Sequence, residues 1–394
     1  MTQQASPERK PPSRTRDPRL DFFRGVAMYV ILLSHVPSNP WALWTPSRFG
    51  FSDAAEIFVF CSGMASAIAF GTIFQYAGWW MGTLRILLRM WQIYWAHLGV
   101  FFVALFTMLV LNQTGWFEKD YVDALNLYPF IRETGRNMIG LMTMTYVPNY
   151  FDILPMYFVI LGLVPPMMLL AQISPKLVIM ASLCLWAYVT AGGLELPAEY
   201  WFSRGSERQW FFNPFAWQLV FFTGFGLMAG WIPKPPKSRA MIAIACAVVV
   251  ISLPLAWHET VGMFAEIRAW RKEWWILLSK TDQGILRYIH FLSLAYLAWA
   301  AVGPMGSRLL GGPIRDRVTP VVSKVGQQTL AVFMTSMVLS RLMGVLLDVM
   351  GRGVLQALVV NVLGIALLSL TAYFVAYLKA QPWRNAVRAA LDGR

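Results

Sequence analysis

Two basic side chains bracket the first hydrophobic run of the chain. Arg24 opens it and His35 closes it, eleven residues later. Eleven helical steps turn about 1100°, three turns and a little more, so the two side chains share one face and stand about 16 Å apart along the axis. That is roughly half of a bilayer core. A histidine titrates near pH 6.5 and suits the removal of a proton from an attacking hydroxyl. An arginine in this setting suits a phosphate, or an anchoring carboxylate such as Asp21 three residues earlier. The plain alternative is a snorkelling arginine and a histidine hydrogen-bonded at a helix end.

Carboxylates open the second run. Asp53 and Glu56 are three residues apart and lie on one helical face, and Gly63 continues that face where a helix or ligand must approach closely. A carboxylate at Glu56 is suited to accept the second N–H of the His35 ring and fix its tautomer. Asp53 is suited either to the same site or to capping the helix after Ser52. Asp152 begins a later run. Arg287 and His290, three apart, begin another and are placed to line the same pocket, with Arg287 facing a free carboxylate. The competing reading of Arg287 is an ion pair with Asp282. Arg341 lies inside an apolar run and needs a partner or a water-filled cavity, with Asp348 as the candidate. Arg85 and Arg89 share a face and suit nucleotide phosphates, or simply orient the chain. His97 and His258 have no evident partner and read as structural.

The elements that must position these groups are membrane helices. Of 394 residues 57% are hydrophobic and 13% charged, where soluble domains carry about 25% charged residues. Apolar runs of about 20 residues recur, each long enough to span a bilayer. About ten fall near 20–37, 52–76, 84–111, 151–172, 177–193, 214–232, 239–257, 284–303, 321–347 and 354–379. The fold class expected is an all-α, polytopic integral membrane protein. Residues 1–19 read as a disordered basic tail and not a cleavable signal peptide, 20–380 as one transmembrane domain, and 381–394 as a second basic tail.

Loop charges orient the bundle. Lys176, Lys234, Lys237, Arg308, Arg315 and Arg317 join both tails on one side, which the positive-inside rule makes cytoplasmic. The net charge of +13 is therefore a topology signal and not a sign of nucleic acid. The opposite loops, near 112–150, 194–213 and 258–283, are longer and of mixed sign. They carry Trp116, Trp201, Trp210, Trp270, Trp274 and Trp275, suited to an interfacial aromatic belt, a platform for sugar rings, or both. Cys61, Cys184 and Cys246 lie in apolar runs without metal-ligand spacing. No nucleotide-binding glycine loop, HExxH or Gly-x-Ser-x-Gly occurs, so no metal or permanently bound cofactor is expected.

Several of these stretches carry a resemblance. Asp21-Phe22-Phe23-Arg24-Gly25 with His35, and then Phe49 to Gly63 (FGFSDAAEIFVFCSG), resemble the OpgC family of membrane succinyltransferases. Tyr150 to Tyr157, Phe212 to Gln218 and His290-Phe291-Leu292 extend it through most of the chain. The first helix resembles, more distantly, the acyltransferase-3 group, which shares a basic residue, ten residues and a histidine; Glu56 holds the place of an acidic residue of that group. The resemblance implies an O-acyltransferase of the bacterial inner membrane with both termini cytoplasmic. It would use succinyl-CoA, or another acyl-CoA, as donor and a periplasmic glucan as acceptor. His35 would be the base, with Glu56 and Asp53 beside it. Arg24, Arg85 and Arg89 would hold the donor, and Arg287, His290, Asp152 and Arg341 would contact substrate. A transporter or flippase for an anionic glycan or lipid would suit the same intramembrane charges, although paired broken helices are not visible. An acyltransferase for another envelope polysaccharide is the remaining alternative. Nothing in the sequence fixes the oligomeric state.

Overall fold

The computed structural model describes residues 17–117, 119–199 and 208–392. Most of the tail at 1–19, together with Trp201, Arg204, Glu118 and Glu207, lies outside the described residues. The remainder of that tail is helical: α1 spans Pro18–His35, with Asp17 accepting the Arg19 N–H at 3.0 Å and proline in the first turn.

Eleven further helices of more than ten residues follow among the described residues, with shorter ones in the loops. They are α2 (Ala54–Tyr76), α3 (Gly78–Gln113), α4 (Ile153–Ile173), α5 (Pro175–Thr190), α6 (Pro214–Ala229), α7 (Arg239–Ala256), α8 (Ile285–Val302), α9 (Arg315–Gln327), α10 (Thr329–Met350), α11 (Val354–Lys379) and α12 (Pro382–Asp392). Among the described residues seven helices are long and apolar enough to cross a membrane: α2, α3, α4, α7, α8, α10 and the run from α11 into α12. Helices α5 and α6 are apolar but shorter. The single span expected at 321–347 is two elements. Gln328 leaves helical geometry (φ −106°, ψ 32°), so 321–327 belongs to α9, which carries four charged side chains, and the apolar span starts at Thr329.

The centre is built by α1, α2, α4, α6 and α10. Helices α2 and α6 touch backbone to backbone. A Cβ at Gly63 would lie 2.0 Å from the Phe221 carbonyl oxygen, and one at Gly224 would lie 2.2 Å from that of Phe60. Small residues are what let membrane helices approach this closely. Helix α9 lies along α1, where the Gln327 amide donates to Asp21 at 3.2 Å. Helices α7 and α8 pair at the periphery, and the outward faces of α3, α7 and α11 are aliphatic and aromatic, as helices in lipid require.

At the end where α1 finishes, here the far end, the long loops form a packed layer. Tyr121, Leu125, Leu127, Phe130, Tyr146, Val147, Ala198 and Trp210 are buried together. Backbone bonds join Val147 to Ala198 and Trp210 to Leu196. Trp210 is thus a core residue of this layer and neither belt nor platform. Trp116, Trp274 and Trp275 are exposed, and Trp270 is half-buried.

Candidate active site

Helix α1 ends at His35 because Val36 is extended and Pro37 follows it. The ring folds back along its own helix, with Nδ1 2.6 Å from the Ile31 carbonyl oxygen. A carbonyl only accepts, so Nδ1 carries the proton and the lone pair is on Nε2. The ring edge meets Tyr150 at a centroid separation of 5.3 Å. On Tyr150 in turn lies the Arg341 guanidinium, 4.1 Å from the ring centroid. Tyr150 has φ of 74°, in the left-handed region that residues other than glycine rarely occupy. It is 45% exposed, which leaves this corner open at the far end. Arg341, Lys280 and Asp53 are the charges acting on the imidazole.

Glu56 takes another partner than the one expected, while Asp53 takes the capping role. Glu56 is fully buried; one oxygen receives both Nε (2.9 Å) and Nη2 (2.6 Å) of Arg287, and the other receives the Asp53 N–H (2.8 Å). Asp53 caps α2 through the Ala55 N–H, completes a capping box with Glu56, and pairs with Lys280 at 2.5 Å and Arg287 at 3.4 Å. The tautomer role expected of Glu56 belongs to the Ile31 carbonyl, which accepts the Nδ1–H of His35. Arg287 does not pair with Asp282, which instead accepts from Ser279 at 3.0 Å. Two carboxylates and two cations neutralise one another here, as buried charges must.

His290 holds the loop that leads into α2. Its Nδ1 accepts the Ser52 N–H at 3.3 Å and meets the Ser52 hydroxyl at 2.7 Å. A Cβ at Gly50 would lie 2.2 Å from its Nε2 and Cε1, so only glycine fits against this ring. Asp152, also buried, accepts the Phe211 N–H at 2.9 Å and ties the Tyr150 segment to the far-end layer. Both residues brace the site from behind. Asp348, the candidate partner of Arg341, bonds Lys119 (3.0 Å), Tyr121 (3.1 Å) and Arg352 instead.

The opposite end of α1 has its own cluster. The buried Nε of Arg24 has no hydrogen-bond partner among the described residues, and Asp21 and Arg89 are the charged side chains in its surroundings. Arg85 is exposed, 5.7 Å from the Phe70 ring centroid, beside a π-helical turn at Ala67–Gly71 in α2. Such turns recur at functional sites. Arg89 donates to Gln92. His258 has a neighbour in Glu259 at 3.3 Å, whereas both nitrogens of the buried His97 are unpartnered among the described residues.

Sequence reasoning missed Tyr150, Lys280 and Ser52 as members of this arrangement. A tyrosine beside a proline-and-asparagine turn carries no chemical signal of its own. Lys280 looked like one charge in a mixed loop.

The family model described as OpgC protein matches residues 16–380, nearly the whole chain. No curated protein and no solved structure matches.

Proposed function

The chain belongs to the OpgC family, and on that premise we propose that it is a membrane O-acyltransferase acting on periplasmic glucans, with a coenzyme A thioester, succinyl-CoA in the first instance, as donor. The protein would sit in the bacterial inner membrane with both termini cytoplasmic and about ten crossings, α1, α5 and α6 adding to the seven longer spans.

The observation that carries this reading is the state of His35. Its Nδ1 proton is committed to Ile31, its Nε2 lone pair has no hydrogen-bond partner among the described residues, and it sits beside Tyr150 at a half-exposed corner. A base needs that lone pair within reach of a hydroxyl. The thioester would enter at the Arg24 end, where Arg24 and Arg89 supply two positive charges for phosphates. The glucan hydroxyl would arrive at the far end. Nε2 of His35 takes the hydroxyl proton as the oxygen attacks the thioester carbonyl carbon. A carbon–oxygen bond forms, the carbon–sulfur bond breaks, and the proton passes from Nε2 to the departing thiolate. Glu56, Asp53, Arg287 and Lys280 fix the start of α2 behind this centre and take no proton. His290 and Asp152 hold the flanking loops.

The test is the ester content of periplasmic glucans in a strain whose only copy is His35→Ala. Ester-linked acyl groups should vanish at undiminished protein abundance. Their persistence would remove His35 from the reaction and the reading with it.

A further inference from the structure

Arg341 differs from every other cation around His35. Arg287 and Lys280 are paired to carboxylates. Arg341 is 6% exposed, forms no salt bridge among the described residues, and keeps Nε and Nη2 buried without a hydrogen-bond partner. Among the described residues its close companion is Tyr150, whose ring and hydroxyl supply cation–π attraction and a neutral polar contact but no anion. A buried guanidinium with unmatched donors is unfavourable unless an anion joins it. The helices hold it at this place firmly. Gly344, one turn on from Arg341, lies where a Cβ would meet Pro37 at 2.6 Å, so α10 is seated against the end of α1.

We propose that Arg341 is the specificity residue for the acyl group, receiving the free carboxylate at the far end of a dicarboxylic acyl chain while its thioester carbon faces His35. This rests on the acyl-transfer reading above and names the group that selects the donor. The two separations through Tyr150, 5.3 and 4.1 Å, laid end to end limit the distance from the imidazole to the guanidinium carbon. A four-carbon diacid, with three carbon–carbon bonds of about 1.5 Å between its carboxyl carbons, has a length of the order of that limit once a hydroxyl and a hydrogen bond are added at the two ends. Arg341 makes and breaks no bond in the transfer. Its charge-assisted bonds to a carboxylate discriminate a diacid from the neutral acyl group of equal length. Arg287, whose charge Glu56 already neutralises, has no such capacity left.

The experiment uses the full-length protein in lipid nanodiscs with glucan acceptor, offered succinyl-CoA or butyryl-CoA in separate reactions. Arg341→Gln should lower succinyl transfer about 10- to 100-fold while butyryl transfer holds or rises. Arg341→Lys, which keeps the charge, should retain part of the succinyl transfer. A second readout needs no turnover: free succinate, and not butyrate, should raise the thermal midpoint of the wild-type protein and of His35→Ala, but not of Arg341→Gln. Equal loss of both transfers in Arg341→Gln, or succinate protection that survives in it, overturns the assignment. A wild type that transfers neither acyl group, yet is protected by succinate only when Arg341 is present, would leave the carboxylate site standing and remove the acyl-transfer reading.

Discussion

Nδ1 of His35 lies 2.6 Å from the carbonyl oxygen of Ile31, one turn back on the same helix. The orienting group of this histidine is thus backbone and not a side chain. Asparagine places its amide nitrogen close to the position of Nδ1 and reproduces that bond, but offers nothing at Nε2. His35→Asn is therefore expected to keep the thermal midpoint of the wild type while glucan ester formation falls by about 10²- to 10⁴-fold. Midpoints in detergent and ester content by mass spectrometry check both halves. A variant that folds and still esterifies would contradict the base assignment.

Arg287 and Glu56 form the innermost pair of the network behind the site. Removing one partner strands the other as a buried charge, at a cost of about 3–5 kcal/mol, whereas replacing both by apolar residues is far milder. Arg287→Met should lower stability sharply, and Arg287→Met with Glu56→Leu should recover much of it. The two single variants, the double variant and the wild type, compared by thermal midpoint, form the cycle that measures the coupling. Strict additivity would show that the two side chains do not depend on one another.

Gly50 and His290 are a second coupled pair, joined by shape. A methyl group at Gly50 must displace the imidazole or the loop, so Gly50→Ala should destabilise by about 1–3 kcal/mol, the usual cost of overpacking. Trimming the ring should relieve it: adding Gly50→Ala to His290→Ala should cost less than adding it to the wild type. Denaturation of the four proteins in detergent decides, and an equal cost in both backgrounds would place the strain elsewhere.

The far-end layer carries a prediction about pH. Asp120 accepts from the Tyr128 hydroxyl at 2.6 Å and also from Asn112 and the N–H groups of Val122 and Asp123. The Tyr128 bond and these others hold its carboxyl below the ordinary carboxylate range. A depressed carboxyl stabilises the folded loop above its unfolded pKa, near 3.8, and that contribution is lost as pH falls through the lower folded value. Hydrogen exchange in residues 112–117 and 119–128, taken relative to its intrinsic rate at each pH, should therefore accelerate below pH of about 4 in the wild type. In Asp120→Asn it should be faster already at pH of about 7 and change less with acid. Equal pH profiles for the two proteins would remove Asp120 from the loop's stability.

The legible part of this protein was what depends on local spacing and solvent. Runs of apolar residues near bilayer length place the helices because backbone polar groups in lipid must bond within their own segment. The pair Arg24 and His35 is readable as one face because helical geometry fixes it. Asp53 as a cap is readable too, since the bond it accepts comes from two residues away.

Partner choice was not legible. Glu56 met Arg287 and not His35, Asp348 met Lys119 and not Arg341, and the 321–347 span broke at Gln328. The first two outcomes join residues 231 and 229 positions apart in the chain, which no local spacing reveals. The chain alone determined that several charges lie within apolar segments. Only the tertiary arrangement decided which of them cancel and which, like Arg341, stay unmatched, because a buried charge interacts with whatever shares its pocket and the residues sharing it come from segments hundreds of positions apart.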